Sequence, residues 1–160
     1  MVLYIGVDGG GSKTEVMIVD GESQRTALSV GAATNPNTVG TENAVAVVTS
    51  LISQGIEKLS GAQEQIRGLS ICMAGVDRPA QVQTLHTLFQ EEYPQAVVEV
   101  TNDAFAALSA GTQGKSGIVL IAGTGSIAVG ESRGEIRLAP ADMEVYWVTR
   151  GAASTWDGRA

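Results

Sequence analysis

Residues 3–20 read LYIGVDGGGSKTEVMIVD, and this stretch decides the fold. Residues 3–8 form a short apolar run that ends in Asp-Gly-Gly-Gly, and residues 14–20 alternate between apolar and polar types. Both patterns are typical of β-strands, so the glycines between them are predicted to form the turn of a hairpin. Such a turn is neither a Walker A loop nor a dinucleotide fingerprint, because both of those lead into a helix.

Outward from this hairpin, the pattern predicts further strands and helices in alternation. A weak third strand is expected at 25–30, followed by a loop in which Pro36 prevents regular structure. Helical spacing covers 39–59, and Pro79 begins a second helix. The remaining predicted elements are strands at 66–74, 96–101, 117–122 and 127–130 and an Ala-rich helix from Asn102 to Gly111. This order predicts an α/β fold, a mixed sheet with helices on both faces.

Composition narrows the class of protein. The chain has 160 residues, of which 44% are apolar and 17% charged, as expected of a globular domain. Its net charge of −7 argues against nucleic acid as a partner. No stretch approaches 18 apolar residues and the N-terminus lacks a signal pattern, so we expect a cytoplasmic protein without a membrane partner. The single cysteine, Cys72, is predicted to be a small core residue.

The first glycine turn is a candidate phosphate site. Glycines leave backbone N–H groups open to phosphate oxygens, so Gly9–Gly11 are predicted to bind phosphate. Ser12 or Thr14 can add a hydroxyl, and Lys13 a positive charge. Asp8, at the end of the strand, is placed to hold a hydrated Mg²⁺. The alternative is an ordinary Asp-Gly hairpin turn without a ligand.

A second glycine turn, Gly123-Thr124-Gly125-Ser126, again joins two apolar strands. Two such turns with hydroxyl residues suggest two clamps on one polyphosphate. Between them in sequence, Asp103 lies at the end of a strand and the start of a helix. A carboxylate there is either a helix cap or a catalytic base for a bound hydroxyl.

Four segments together resemble a known family. The chain resembles the N-acetylglucosamine kinase group of the actin-like sugar-kinase superfamily, which shares a domain type with the BadF/BadG/BcrA/BcrD activator ATPases. The resemblance covers residues 3 to about 138 and implies an actin-like (ribonuclease H-like) ATPase lobe. The segments that carry it, in family order, are Ile5-Gly-Val-Asp-Gly-Gly-Gly-Ser-Lys-Thr14, Ala74-Gly-Val-Asp-Arg-Pro79, Thr101-Asn-Asp-Ala104 and Ile121-Ala-Gly-Thr-Gly-Ser126.

The resemblance implies roles for individual residues. Both glycine turns would hold the phosphates of ATP, with Mg²⁺ as the metal. Asp103 would match the base that deprotonates the sugar hydroxyl, and Asn35 and Asn102 would contact the sugar. The expected function is ATP-dependent phosphorylation of an amino sugar such as N-acetylglucosamine, with a homodimer in the complete family protein. The alternatives are an activator-type ATPase, against which the single cysteine counts, and a fragment that is not catalytic.

The resemblance ends near Ala139. Family members continue into a second lobe that carries the adenosine site, whereas residues 139–160 match nothing in the family. We therefore expect 1–138 to form the N-terminal lobe and 139–160 to be an irregular tail with Trp147 and Trp156 unpacked. The chain alone is expected to bind MgATP weakly and not to phosphorylate the sugar.

The genetic code suggests an origin for this tail. A shifted codon is made from the last base of one codon and the first two bases of the next. From Ala141 onward, the codons of this shifted frame can encode Gly-His-Gly-Gly-Ile-Leu-Gly-Asp-Glu-Gly-Ser-Gly-Val-Tyr-Val-Gly. That is the glycine-rich segment with which the family continues. Tyr146–Trp147 forces the Leu, and Met143–Glu144, Trp147–Val148 and Trp156–Asp157 each force a Gly. We therefore expect a reading-frame shift near Pro140.

Overall fold

The computed structural model describes residues 1–113, 115–122, 126–131, 144–149 and 152–156. The chain divides into two compact units, Met1–Asp103 and Ala104–Ala160, which are described one at a time. Among the described residues, no helix has the length and apolar character that crossing a membrane requires.

The first unit is built on a five-stranded mixed sheet with the order β3-β2-β1-β4-β5. The hairpin of β1 and β2 is antiparallel, as is the pair of β2 and β3, whereas β4 and β5 run parallel to β1. This arrangement confirms the predicted mixed sheet. The strands are β1 (Leu3–Gly9), β2 (Lys13–Asp20), β3 (Thr26–Ala32), β4 (Ile66–Met73) and β5 (Val97–Asn102).

The helices of this unit are α1 (Pro36–Val39), α2 (Thr41–Leu59) and α3 (Pro79–Glu92), with a 3-10 turn at Gln63–Gln65. The prediction that Pro36 prevents regular structure is wrong, because proline is tolerated at the first position of a helix. Its fixed φ suits that position, and the N–H that it lacks would have no partner inside the helix.

Both long helices pack on the same face of the sheet. The residues of β1 alternate, so that Leu3, Ile5 and Val7 are buried while Tyr4 is half exposed. The buried face meets the apolar sides of α2 and α3, including Ile52 and Phe89, in one core. Burial of each such side chain contributes about 1.5–3 kcal/mol. The opposite face carries exposed apolar side chains: Tyr4, Met17, Leu28, Val30 and Val97.

In the second unit, the described residues form one helix and a four-stranded sheet with the order β6-β7-β8-β9. Its first three elements confirm the predicted helix and hairpin. The last two strands lie where an irregular tail is predicted, and their β-branched and aromatic residues favour extended backbone. The predicted boundary at residue 138 lies outside the described residues. The elements are α4 (Ala104–Thr112), β6 (Gly117–Ala122), β7 (Ser126–Glu131), β8 (Glu144–Thr149) and β9 (Ala152–Trp156).

Candidate active site

Three strands of the first unit end level with one another. Gly9, the last residue of β1, pairs with Met73, the last residue of β4, and Met73 pairs with Asn102, the last residue of β5. Backbone hydrogen bonds continue beyond these ends, because Ala74 N–H donates to the Gly9 carbonyl at 2.8 Å and Asp103 N–H donates to the Met73 carbonyl at 3.3 Å. The predicted phosphate turn and Asp103 therefore lie at the same carboxyl edge of the sheet.

The glycines of the first turn are required for different reasons. A Cβ at Gly9 would lie 2.6 Å from Thr34 Oγ1 and 2.8 Å from Met73 Cγ, so the neighbouring loops close against it. A Cβ at Gly10 would lie 2.8 Å from the Lys13 carbonyl, which accepts a hydrogen bond from Gly10 N–H at 2.9 Å. Gly11 has no atom within 4 Å of that position and is exposed. The turn is thus braced at its base and open at its tip.

Two other residues of the turn are placed differently from the prediction. Thr14 is fully buried and its hydroxyl lies 2.8 Å from the buried hydroxyl of Thr34, since the alternation of β2 directs it inward. Its hydroxyl therefore braces the turn instead of facing phosphate. The Lys13 ammonium donates to Glu15 Oε1 at 2.8 Å, and this bond raises the pKa of Lys13. Ser12 is exposed at the tip, as expected.

The loop that contains Asn35 is tied to this edge. Thr34 N–H donates to the Gly10 carbonyl at 3.2 Å, which fixes the loop against the phosphate turn. The Asn35 side chain accepts a hydrogen bond from Asn37 N–H at 3.0 Å and so caps α1. Gly75 lies on the loop that follows β4 and has a φ of +76°. A Cβ at this position would lie 2.6 Å from Asn35 Oδ1. Asn35 therefore lies against the loop that follows β4.

Asn102 and Asp103 stand at the junction of β5 and α4, and both are partly exposed. The position of Asp103 at a strand end fits either predicted role, a helix cap or a base. One residue earlier, Thr101 lies beside the buried Cys72, with 3.4 Å between the hydroxyl and the thiol. Burial raises the pKa of the Cys72 thiol, so at neutral pH this group stays protonated.

Asp8 is the candidate for holding Mg²⁺. Its side chain is exposed, and the residue lies opposite Glu15 in the backbone register of β1 and β2. Among the residues that the structure describes, no group of three or more His, Cys, Asp or Glu side chains gathers as a metal cage. One exposed carboxylate beside a phosphate turn fits Mg²⁺, which keeps several waters and is usually held by one or two carboxylates together with substrate phosphates.

The second predicted clamp lies mostly outside the described residues. Gly123, Thr124 and Gly125 are not described, and Ser126 is the first residue of β7. The strands on either side pair with each other from Ala122↔Ser126 to Gly117↔Glu131, which confirms that this glycine segment joins a hairpin.

Sequence reasoning missed three residues of this edge: Thr34, Asn37 and Gly75. Thr34 and Asn37 flank the predicted Asn35, but their contacts are with residues distant in sequence, which no local pattern shows. Gly75 carried a visible signal, because a glycine directly after a buried strand often adopts a positive φ. Its contact with the Asn35 loop follows only from the fold.

A mixed sheet with a glycine hairpin and a carboxylate at its carboxyl edge defines an actin-like ATPase domain. The chain belongs to the BadF/BadG/BcrA/BcrD ATPase family, whose model matches residues 5–139. This range contains both glycine turns and Asp103, and it ends where the sequence departs from the family pattern.

Curated relatives include several amino-sugar kinases. The chain is 35% identical over 140 residues to the N-acetyl-D-glucosamine kinase of Dictyostelium discoideum, covering 82% of this chain and 44% of that protein. It is 32% identical over 133 residues to the N-acetylmuramic acid/N-acetylglucosamine kinase of Clostridium acetobutylicum, covering 83% and 44%. The chain thus spans less than half the length of these relatives.

Solved structures show the same fold. A candidate N-acetylglucosamine kinase from Chromobacterium violaceum has a TM-score of 0.66 at 20% identity, with 80% of this chain and 44% of that chain covered. The corresponding protein from Porphyromonas gingivalis has a TM-score of 0.61 at 23% identity, with 81% and 44% covered. At these identities the likeness establishes the actin-like fold alone.

Proposed function

We propose that this chain is the phosphate-binding half of an ATP-dependent kinase that phosphorylates an amino sugar such as N-acetylglucosamine. The observation that carries the proposal is the shared register of three strand ends, which brings the Gly9 turn and Asp103 to one edge. The names of the curated relatives, all amino-sugar kinases, support the choice of substrate.

In the proposed reaction, Asp103 is the catalytic base. It takes the proton of one sugar hydroxyl while the oxygen of that hydroxyl bonds to the γ-phosphorus of ATP and the bond from phosphorus to ADP breaks. Little covalent chemistry is required of the protein, so positioning and charge neutralisation account for most of the rate. Asn35 and Asn102 would orient the sugar, since both flank the carboxyl edge on which Asp103 lies.

The first turn would hold the phosphates. Exposed backbone at Gly11 and the hydroxyl of Ser12 offer donors at its tip, while Gly9 and Gly10 allow the close approach at its base. By the family resemblance, Gly123–Ser126 would also bind phosphate. Asp8 would hold Mg²⁺ through water, and the ion would neutralise charge on the phosphate oxygens.

The activator-type ATPase is disfavoured by the cysteine content. Activators of that kind hold an iron–sulfur cluster through cysteine thiolates at a dimer interface. This chain has one cysteine, Cys72, which is buried in β4 and has a raised pKa. A solved reductive activator for a corrinoid, iron–sulfur protein shares the fold at 11% identity, with a TM-score of 0.51.

The decisive experiment joins this segment to the remaining part of a relative that is a full-length kinase. In a chimera, residues 5–139 of this chain replace the matching segment of the Dictyostelium kinase, and phosphorylation of N-acetylglucosamine is measured with ATP. We expect sugar-dependent turnover by the chimera, and neither turnover nor tight ATP binding by the 160-residue chain. A folded chimera that hydrolyses ATP without phosphorylating any amino sugar would contradict the proposed function and favour an ATPase role.

We also propose that residues from about 140 result from a shift of reading frame. The forced Leu and Gly codons and the end of the family match at residue 139 support this. The structure forms two strands from these residues, β8 and β9. A strand describes the backbone conformation and is compatible with either origin of the sequence. The nucleotide sequence is the test: a shifted frame that lacks the glycine-rich segment and a following lobe would refute the idea.

A further inference from the structure

The exposed side chain of Asn37 joins the loop that carries Asn35 to the loop after β4 and to α3. Its Nδ2 donates to the Gly75 carbonyl at 2.8 Å, and its Oδ1 accepts from Gln81 Nε2 at 3.1 Å. These partners lie 38 and 44 residues away in sequence, on the loop after β4 and on α3. Asn37 therefore ties together three segments that the chain connects only over long distances.

The same residue also contacts Asn35 directly. The backbone N–H of Asn37 donates to Asn35 Oδ1 at 3.0 Å, so the Asn35 oxygen is engaged and its orientation is set. Both amide atoms of Asn35 lie close to Gly75: Oδ1 is 2.6 Å and Nδ2 2.9 Å from the point that a Cβ would occupy. Asn37 Nδ2 lies 2.7 Å from that point. The two amides fill the space that the missing Gly75 side chain leaves.

We propose that Asn37 is a positioning residue: by bonding Gly75 and Gln81 it holds the Asn35 side chain at the carboxyl edge of the sheet. The expected effect on sugar binding rests on the proposed function, in which Asn35 contacts the substrate. Asn37 itself has both side-chain atoms engaged within the protein, so it acts through Asn35. Gly75 is the complementary part, because only a glycine admits both amides at a positive φ.

The chain offers an isosteric variant and a matched control. Asn37→Asp keeps the size and the acceptor toward Gln81 but removes the donor to Gly75. Gln63→Glu makes the same amide-to-carboxylate change, where Gln63 Nε2 donates to the Glu92 carbonyl at 2.8 Å, a bond between residues of neither loop. Any general effect of a new carboxylate on this acidic chain appears in both variants.

The first measurement needs no ligand. Amide hydrogen exchange of the full chain reports the protection of Thr38 and Val39, which donate to the Asn35 carbonyl, and of Val76, which donates to the Met73 carbonyl. Loss of one neutral hydrogen bond corresponds to about three- to tenfold faster exchange there in Asn37→Asp. Exchange in β1 and β4, and in Gln63→Glu at all three amides, should equal that of the wild type. Unchanged exchange at Thr38, Val39 and Val76 in Asn37→Asp overturns the proposal.

The second measurement tests whether Asn37 acts through Asn35. In the chimera, Asn37→Asp should raise KM for N-acetylglucosamine about three- to tenfold and leave KM for ATP unchanged. In an Asn35→Ala background, the same change should have no further effect, because the group that it positions is gone. Additive effects overturn the positioning role. A chimera without sugar turnover counts against the proposed function, and hydrogen exchange alone then decides the role of Asn37.

Discussion

The two edges of the five-stranded sheet use aspartate in opposite ways. At the amino edge, Asp20 ends β2 and is buried, and its carboxylate accepts hydrogen bonds from the Ser23 hydroxyl, the Glu22 N–H and the Val2 N–H. At the carboxyl edge, Asp8 is exposed near the open tip of the glycine turn, and Asp103 is partly exposed. The donors that satisfy Asp20 belong to the protein itself.

This difference is the one expected between a structural carboxylate and the carboxylates for which we propose a function. The Ser23 hydroxyl, with the Glu22 and Val2 amides, holds the pKa of Asp20 below its usual value, and the N-terminal ammonium of Met1 reinforces the same turn through Glu22 at 2.7 Å. A carboxylate so satisfied has little capacity left for a ligand. Asp8 is exposed beside the open tip of the turn and accessible to a ligand, which the proposed metal binding requires.

The largest expected effect tests the carboxyl edge. Asp103→Asn in the chimera should lower kcat for sugar phosphorylation about 10²- to 10⁴-fold, because an amide cannot accept the hydroxyl proton. The change is nearly isosteric, so thermal unfolding should stay close to that of the unmodified chimera. Initial rates at saturating ATP and sugar provide the measurement.

Glu99→Gln is the matched control for this variant. Glu99 lies on β5, which ends just before Asp103, and is exposed, so its neutralisation changes the charge by the same amount at a distance from the strand ends. It should leave kcat within about twofold of the unmodified value. Near-normal turnover in Asp103→Asn would refute the role of base and leave the cap of α4 as the explanation for this residue.

The features of the carboxyl edge that depend on neighbouring residues could be predicted from sequence, whereas those that depend on residues distant in sequence could not. The hairpin at Gly9–Gly11 and the strand end at Asp103 were predictable, since period-two alternation and glycine turns are local signals. The burial of Thr14 against Thr34 was not, because it depends on which face of β2 meets α2. The bonds of Asn37 to Gly75 and Gln81 likewise depend on the parallel pairing of distant strands. A proline-based rule also failed at Pro36, where helix initiation overrides it.

A second prediction compares two glycines within the phosphate turn. Gly9→Ala places a Cβ against Thr34 and Met73, and overpacking of this kind costs about 1–3 kcal/mol in free energy of unfolding. Gly11→Ala meets open space and should change that free energy by less than about 0.5 kcal/mol. Urea unfolding of both variants, compared by midpoint, checks the difference. Equal midpoints would show that the turn is not braced by its neighbours.

A third prediction concerns the amino edge and pH. Because the folded-state pKa of Asp20 is lowered, its ionisation stabilises the fold above the ordinary carboxyl pKa of about 4, and this contribution is lost as pH falls through the lowered value. Asp20→Asn should therefore be less stable than the wild type at pH 7, and the two should converge as the solution is acidified below pH 4. Asp77→Asn, in the exposed loop before α3, makes the same chemical change away from this turn and is the control. Sugar phosphorylation by the chimera should be insensitive to Asp20→Asn.

The smallest expected effect concerns Lys13, which bonds to Glu15 and is also proposed to contact phosphate. Its ammonium is bonded to Glu15, so a contact with phosphate requires this exposed pair to open. Exposed ion pairs are weak and screened by salt, and therefore Glu15→Gln should lower KM for ATP in the chimera by about twofold at most. Lys13→Met should raise it about two- to fivefold, and both shifts should shrink at high salt. If Lys13→Met leaves KM for ATP unchanged at low salt, the pair with Glu15 is the whole role of Lys13, and the backbone of the turn alone would hold the phosphate.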